Sequence, residues 1–215
     1  MLTMTRYAFV LPLVLGLYCT TTSALEVKIT PSLESVQTLH QGKPITIQRN
    51  QDRNHRVRPY YSHTSRRCPP FCIQPMQAAP GVKTYGELEV LDALARIGRG
   101  DETVLLLDTR TPQWPKRGMI PGAISIPWTE FDLATREEAI RDILVPRFGV
   151  RVQDGEADFS QAKTLTLYCN GIWCSQSTYA IQALLDLGYP SEKLKWYRGG
   201  MQNWEILGLT TVKGP

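Results

Sequence analysis

The stretch that most constrains the fold runs from Thr164 to Ser177. Thr164-Leu165-Thr166-Leu167-Tyr168 is β-branched, apolar or aromatic throughout, the pattern of a strand buried on both faces. After Ser175 the spacing of Tyr179, Ile181, Ala183, Leu184, Leu185 and Leu187 becomes helical and stops at Gly188. Between strand and helix lies a short loop, Cys169-Asn170-Gly171-Ile172-Trp173-Cys174, with a thiol at each end. A cysteine at the carboxyl end of a parallel strand faces a helix N-terminus, whose partial positive charge favours the thiolate. Loop amides can converge on such a sulfur as an anion nest. The unit therefore suits a sulfur nucleophile at Cys169. The competing reading is an inert, packed thiol.

The chain around it repeats the strand-then-helix pattern. Thr84 and Glu87 suggest a capping box that opens a helix with Leu88, Leu91, Leu94, Ala95 and Ile97 on one face. Thr103-Val104-Leu105-Leu106-Leu107 reads as a second doubly buried strand, ending in Asp108-Thr109-Arg110. A short strand follows at Ile124-Ser125-Ile126-Pro127, and Thr135 with Glu138 opens a helix to about Arg147. Residues 151–162 are polar and read as a surface loop. Lys193-Leu194-Lys195-Trp196-Tyr197 is a last strand, Arg198-Gly199-Gly200 a turn, and Met201 to Leu207 a final helix. Alternation of this kind predicts an α/β fold, a parallel sheet flanked by helices on both faces. Sites in such sheets lie beyond the carboxyl ends of the strands, where Asp108, Cys169 and Arg198 fall.

The first residues read as an export signal, residues 1–24. Arg6 is a basic start, Ala8 to Tyr18 an apolar core too short for a permanent anchor, and Thr22-Ser23-Ala24 a cleavage site. Cys19 follows bulky Tyr18, which disfavours lipid attachment. The expected destination is periplasmic or secreted, with no stable membrane anchor after cleavage and no nucleic-acid partner. Residues 25–81 form an irregular N-terminal extension, with short strands expected at Leu25–Ile29 and Ile45–Ile47 around a turn at Gly42-Lys43-Pro44. Pro59, Pro69, Pro70, Pro75 and Pro80 exclude long regular elements from the rest. The formal net charge is +4, and much of the excess lies at Arg49, Arg53, Arg56, Arg58, Arg66 and Arg67. These form either a solvated face or a docking surface for an anionic substrate or acidic partner.

The mature chain keeps Cys68, Cys72, Cys169 and Cys174. An exported protein permits disulfides, and the local pairings Cys68–Cys72 and Cys169–Cys174 are the simplest. Cys68-Pro69-Pro70-Phe71-Cys72 reads as a local disulfide or packed thiol pair, as a pair exchanging with the main site, or as part of a thiolate metal site. His40, His55 and His63 all precede the regular domain, so a Cys–His dyad is not supported.

Four landmarks in this order and spacing carry a resemblance: Leu107-Asp108-Thr109-Arg110 after a buried strand, Gly118-Met119-Ile120-Pro121-Gly122-Ala123, Tyr168-Cys169 opening a loop into a helix, and Trp196-Tyr197-Arg198-Gly199-Gly200 before Trp204. Together they resemble the rhodanese-like domain over about Val82 to Val212, giving residues 82–215 as the domain. The resemblance implies a sulfurtransferase in which Cys169 accepts sulfane sulfur as a persulfide and passes it to a nucleophile, with no cofactor and no metal. Its loop departs from that of many active relatives. Ile172 stands where they carry a glycine, with Gly171 one step early, Cys174 where they carry a cation, and Met119 where a histidine is familiar. Loss of the cation weakens thiosulfate binding and argues against the related phosphatases and arsenate reductases.

Cys174 is then either a resolving thiol for Cys169 or a small buried hydrophobe. Asn170, Gly171, Ile172, Trp173 and Ser175 form the loop that would meet substrate, Trp173 either shielding it or simply packing. Asp108 and Arg110 are placed to brace the loop, and Arg198 either lends the cleft positive potential or lies on the surface. The partners implied are a small sulfur donor or a thiol-containing acceptor protein. Two alternatives stand beside sulfur transfer: thiol–disulfide exchange through Cys169 and Cys174, and a non-catalytic partner-binding module.

Overall fold

The computed structural model describes residues 26–66, 74–132 and 136–215. The leader, Cys68, Cys72 and Thr135 lie outside them, so the signal, the Cys-x3-Cys loop and that residue's cap have no structural description. Among the described residues no helix is long and apolar enough to cross a membrane.

Among the described residues the first strands form an antiparallel hairpin, β1 (Ser35–His40) and β2 (Lys43–Gln48). Gln41 and Gly42 form its turn with φ of 50° and 73°, the left-handed pair that two-residue hairpins need. The first strand therefore lies later than the alternating Leu25–Ile29 segment suggested, since pairing follows the turn and places Val36 opposite Ile47. A short helix, α1 (Pro59–Ser62), interrupts the proline-rich segment.

The main sheet then builds from β3 (Lys83–Tyr85), α2 (Glu87–Gly98), β4 (Val104–Asp108), β5 (Ile124–Ser125), α3 (Thr129–Asp132), and a helical run made of α4 (Arg136–Ala139), a π turn at Ile140–Leu144 and α5 (Val145–Phe148). A small hairpin, β6 (Arg151–Gln153) and β7 (Glu156–Asp158), occupies the segment read as a loop. The chain closes with β8 (Thr164–Tyr168), α6 (Gln176–Asp186), β9 (Leu194–Tyr197) and α7 (Gly200–Ile206). The five-stranded sheet has the order β3-β9-β8-β4-β5, and its pairings are parallel.

Thr84 is not a helix cap. It lies in β3, paired with Trp196, and the residue that caps α2 is Gly86, two residues later, whose N–H donates to Glu89 Oε2 at 3.0 Å. Glycine has no side chain to return a bond, so only half of a capping box forms. Leu88 consequently faces solvent at 55% exposure, while Val90, Leu91, Ala93 and Leu94 are buried.

Strand alternation distributes the core over two faces. Leu107, Leu165, Leu167 and Trp196 pack with Ala180, Ile181 and Leu184 of α6 and with Ile143, Leu144 and Phe148. Leu106, Tyr168 and Tyr197 face Leu91 and Leu94 of α2, Met201 and Trp204 of α7, and Val36, Ile47 and Tyr61 of the N-terminal segment. Helices thus cover both faces, and β8, central in the sheet, delivers Cys169 at its carboxyl end.

Candidate active site

Cys169 directly follows β8, and Cys174 stands just before the helix cap Ser175 of α6. The two sulfurs are joined in a disulfide with Cα atoms 6.1 Å apart, within the normal span of such bonds. The connecting loop turns through a Cys174 N–H to Gly171 carbonyl bond of 3.0 Å. Closing the loop in this way leaves Cys169 only 2% exposed and Cys174 7% exposed. Neither sulfur is open to solvent: the Cys174 sulfur is bonded directly to that of Cys169. Gln176, half-buried in the first turn of α6, places Oε1 3.6 Å from Cys169 Sγ and 3.8 Å from Cys174 Sγ. Sequence reading missed this residue, whose signal was its position just after the cap. Among the described residues, the amides of Asn170, Gly171, Ile172 and Trp173 donate to no acceptor.

The loop is held from several sides. Met201 and Gln202, in the first turn of α7, donate backbone N–H bonds to the carbonyls of Cys169 and Asn170 at 3.0 and 2.9 Å. This approach requires Gly200, whose φ is +57° and at which a Cβ would collide with Cys169 O and lie 2.8 Å from Gly171 N. Trp173 Nε1 donates to Gln202 Oε1 at 2.9 Å, and Gln202 Nε2 to the Tyr61 carbonyl at 3.0 Å. Thr109, after β4, donates its N–H and hydroxyl to Tyr168 O at 3.2 and 2.8 Å, tying the ends of β4 and β8 together.

Beneath the loop is a sealed polar network. Arg110 and Asp108, both without exposed side-chain surface, pair through Nε–Oδ1 at 2.8 Å and Nη2–Oδ2 at 2.5 Å. Arg110 Nη1 also donates to Asn170 Oδ1 at 3.2 Å and to Tyr61 Oη at 3.1 Å, and Nη2 to Gly118 O at 2.8 Å. Tyr61 Oη donates in turn to Asn170 Oδ1 at 3.1 Å, and Tyr168 Oη to Asp108 Oδ2 at 2.9 Å. Burial pulls the Arg110 guanidinium down, but hydrogen bonds to Asp108 and its charge outweigh that and leave the proton more tightly held than usual. Burial, then the Asp108 charge, pushes the Tyr168 phenol well above its ordinary value. Asp108 and Arg110 thus have no surface on which to meet a ligand. Their contacts fix Asn170, the residue beside Cys169.

Arg198 follows β9, whose Tyr197 is level with Tyr168, and its Nη2 donates to Gln74 O at 3.2 Å. Ile172 and Trp173 are half-buried, and Ser175 is buried as the cap of α6. Cavities of about 440 Å³ lie elsewhere, one lined by Gln48, Asp52 and Thr210, the other by His40, Met119 and Ile124.

The family model described as the rhodanese-like domain matches residues 90–207, more than half of the chain. The chain belongs to this family. No curated protein matches the chain. Among solved structures, a thiosulfate sulfurtransferase from Pseudomonas aeruginosa aligns at 23% identity and TM-score 0.42, over 62% of this chain and 21% of that one. A Bacillus halodurans protein aligns at 22% identity and TM-score 0.40, over 58% and 72% of the two chains. A rhodanese-related protein from Thermoplasma volcanium aligns at 19% identity and TM-score 0.36, over 61% and 99%. Membership in the rhodanese-like family rests on the sequence match and not on these distant likenesses.

Proposed function

We propose that this rhodanese-like protein transfers sulfane sulfur through Cys169 and that Cys174 discharges the persulfide. The observation that carries this reading is that the strand-end cysteine of a rhodanese-like domain is joined to a second cysteine of its own loop. The disulfide is the resting, oxidised state. A dithiol supplies two electrons and two protons to open it. The Cys169 thiolate then attacks the outer sulfur of a donor such as thiosulfate. The donor S–S bond breaks and sulfite leaves with its electron pair. The resulting Cys169 persulfide is an anion, and loop amides without a protein acceptor remain free to donate to it.

Two fates follow. An acceptor thiolate attacks the outer sulfur and carries it away, restoring the Cys169 thiolate. Alternatively the Cys174 thiol attacks the inner sulfur, its proton and the electron pair leave with hydrosulfide, and the disulfide returns. The loop has no cation, so a polysulfide or protein persulfide fits it better than an oxyanion donor. The apolar leader at residues 8–18 supports action in an oxidising, exported compartment.

After reduction and incubation with thiosulfate or polysulfide, intact-mass measurement is expected to show one added sulfur on Cys169. Cys174→Ser is expected to hold that adduct longer and to release less sulfide. No adduct from any donor would defeat the proposal. The joined pair itself favours a second reading, thiol–disulfide exchange with a partner protein. Here Cys174→Ser abolishes turnover of a disulfide substrate, and unchanged turnover removes this reading.

A further inference from the structure

The N-terminal segment does more than cover the sheet, since it reaches both halves of the thiol loop. On the Cys169 side, the Tyr61 hydroxyl bonds to Asn170 Oδ1 at 3.1 Å and accepts from Arg110 Nη1 at 3.1 Å. On the Cys174 side, the Arg66 guanidinium lies 4.3 Å above the Trp173 ring and 4.1 Å above the Tyr60 ring, and it donates to the Tyr60 carbonyl. Gln202 joins the two sides by bonding Trp173 Nε1 and the Tyr61 carbonyl. The neighbours of both cysteines are therefore tied to one short helix, α1, which the family match at residues 90–207 does not include.

We propose that Tyr61 and Arg66 are positioning residues that keep Cys174 within bonding reach of Cys169. The inference rests on the Cys169–Cys174 pair and holds under either reading of its chemistry. A clamp on both ends of a short loop acts as an effective concentration. It restricts the open conformations of the dithiol and so favours the disulfide. During sulfur transfer it also shortens the life of the Cys169 persulfide, because the attacking thiol is already placed. Neither side chain has to touch the sulfurs. Each acts through the loop residue it holds, Tyr61 through Asn170 and Arg66 through Trp173.

The test is an equilibrium that needs no sulfur donor. The full chain is equilibrated in glutathione redox buffers, alkylated, and the peptide holding Cys169 and Cys174 is scored as dithiol or disulfide. The balanced reaction is disulfide plus two glutathione giving dithiol plus oxidised glutathione. Tyr61→Phe and Arg66→Gln are each expected to raise the dithiol-to-disulfide ratio at least about threefold, the scale of one net hydrogen bond or cation–π contact. Arg66→Lys, which keeps a cation over the rings, is expected to recover part of the shift.

With polysulfide added, the same variants are expected to lengthen persulfide lifetime. A parent protein that takes up no sulfur would end the sulfur-transfer reading and leave the redox equilibrium standing as its own test. Variants that melt earlier but keep the parent's ratio would overturn the positioning role. Should Tyr61→Phe fail to fold, Arg66→Gln, at a half-buried site away from the core, decides the matter.

Discussion

At the residue scale, Arg110 decides whether the loop has a floor. Its guanidinium spends its donors on Asp108, Tyr61, Asn170 and Gly118, all out of water. A buried pair of this kind contributes little relative to an apolar replacement of both partners, but losing one partner leaves the other charge stranded. Arg110→Met is therefore expected to cost about 3–5 kcal/mol in urea denaturation. A loss near zero would show that Asp108 had found another partner. The sequence disclosed Asp108 and Arg110 because they end an apolar run. Tyr61, Gln176 and Gln202 were not legible, since each reaches the loop from an element whose docking no local pattern announces. Gly200 was read as a turn residue, although its lack of a Cβ is what lets α7 approach the Cys169 carbonyl.

At the element scale, what sequence reading recovered and what it missed follow one rule. β4, β8 and β9 were legible because strands buried on both faces carry unbroken apolar runs. β3 was missed because a three-residue edge strand has no such run and begins with Lys83, and Thr84 then passed for a cap. β1 was missed because its pattern is half polar and its register depends on the Gln41-Gly42 turn.

That hairpin carries a pH-sensitive contact. His40 Nδ1 accepts the Gly122 N–H at 3.3 Å, and burial lowers the imidazole pKa below 6.5. The folded state therefore favours the neutral ring. Its contribution is complete above the unfolded value of 6.5 and declines as pH falls from there through the lowered folded value. Denaturation midpoints measured from about pH 7.5 down to about pH 5 should drop more steeply for the parent than for His40→Asn. Parallel profiles would remove His40 as the cause.

At the scale of the whole molecule, the segment before Val82 cannot be separated from the domain without opening its core. Val36, Ile47 and Tyr61 are buried among Leu91, Leu94, Met201 and Trp204. The main chain of Asn50 bonds to Gly208 O, Arg58 pairs with Glu205, and Gly98 has no room for a Cβ against Gln37. Burial of three such side chains is worth roughly 5–9 kcal/mol, at about 1.5–3 kcal/mol each. Domains of this size are stable by only about 5–15 kcal/mol in total. A chain beginning at Val82 is therefore expected to lose most of its cooperativity and to expose the α2 and α7 faces, while the longer chain unfolds in one transition. Calorimetry of the two, with dye binding to report exposed apolar surface, compares them directly. An equal melting temperature for the shorter chain would mean that α2 and α7 close over the sheet unaided. In that case the N-terminal segment would act only on the thiol loop, through Tyr61 and Arg66, and the redox equilibrium would shift without any change in global stability.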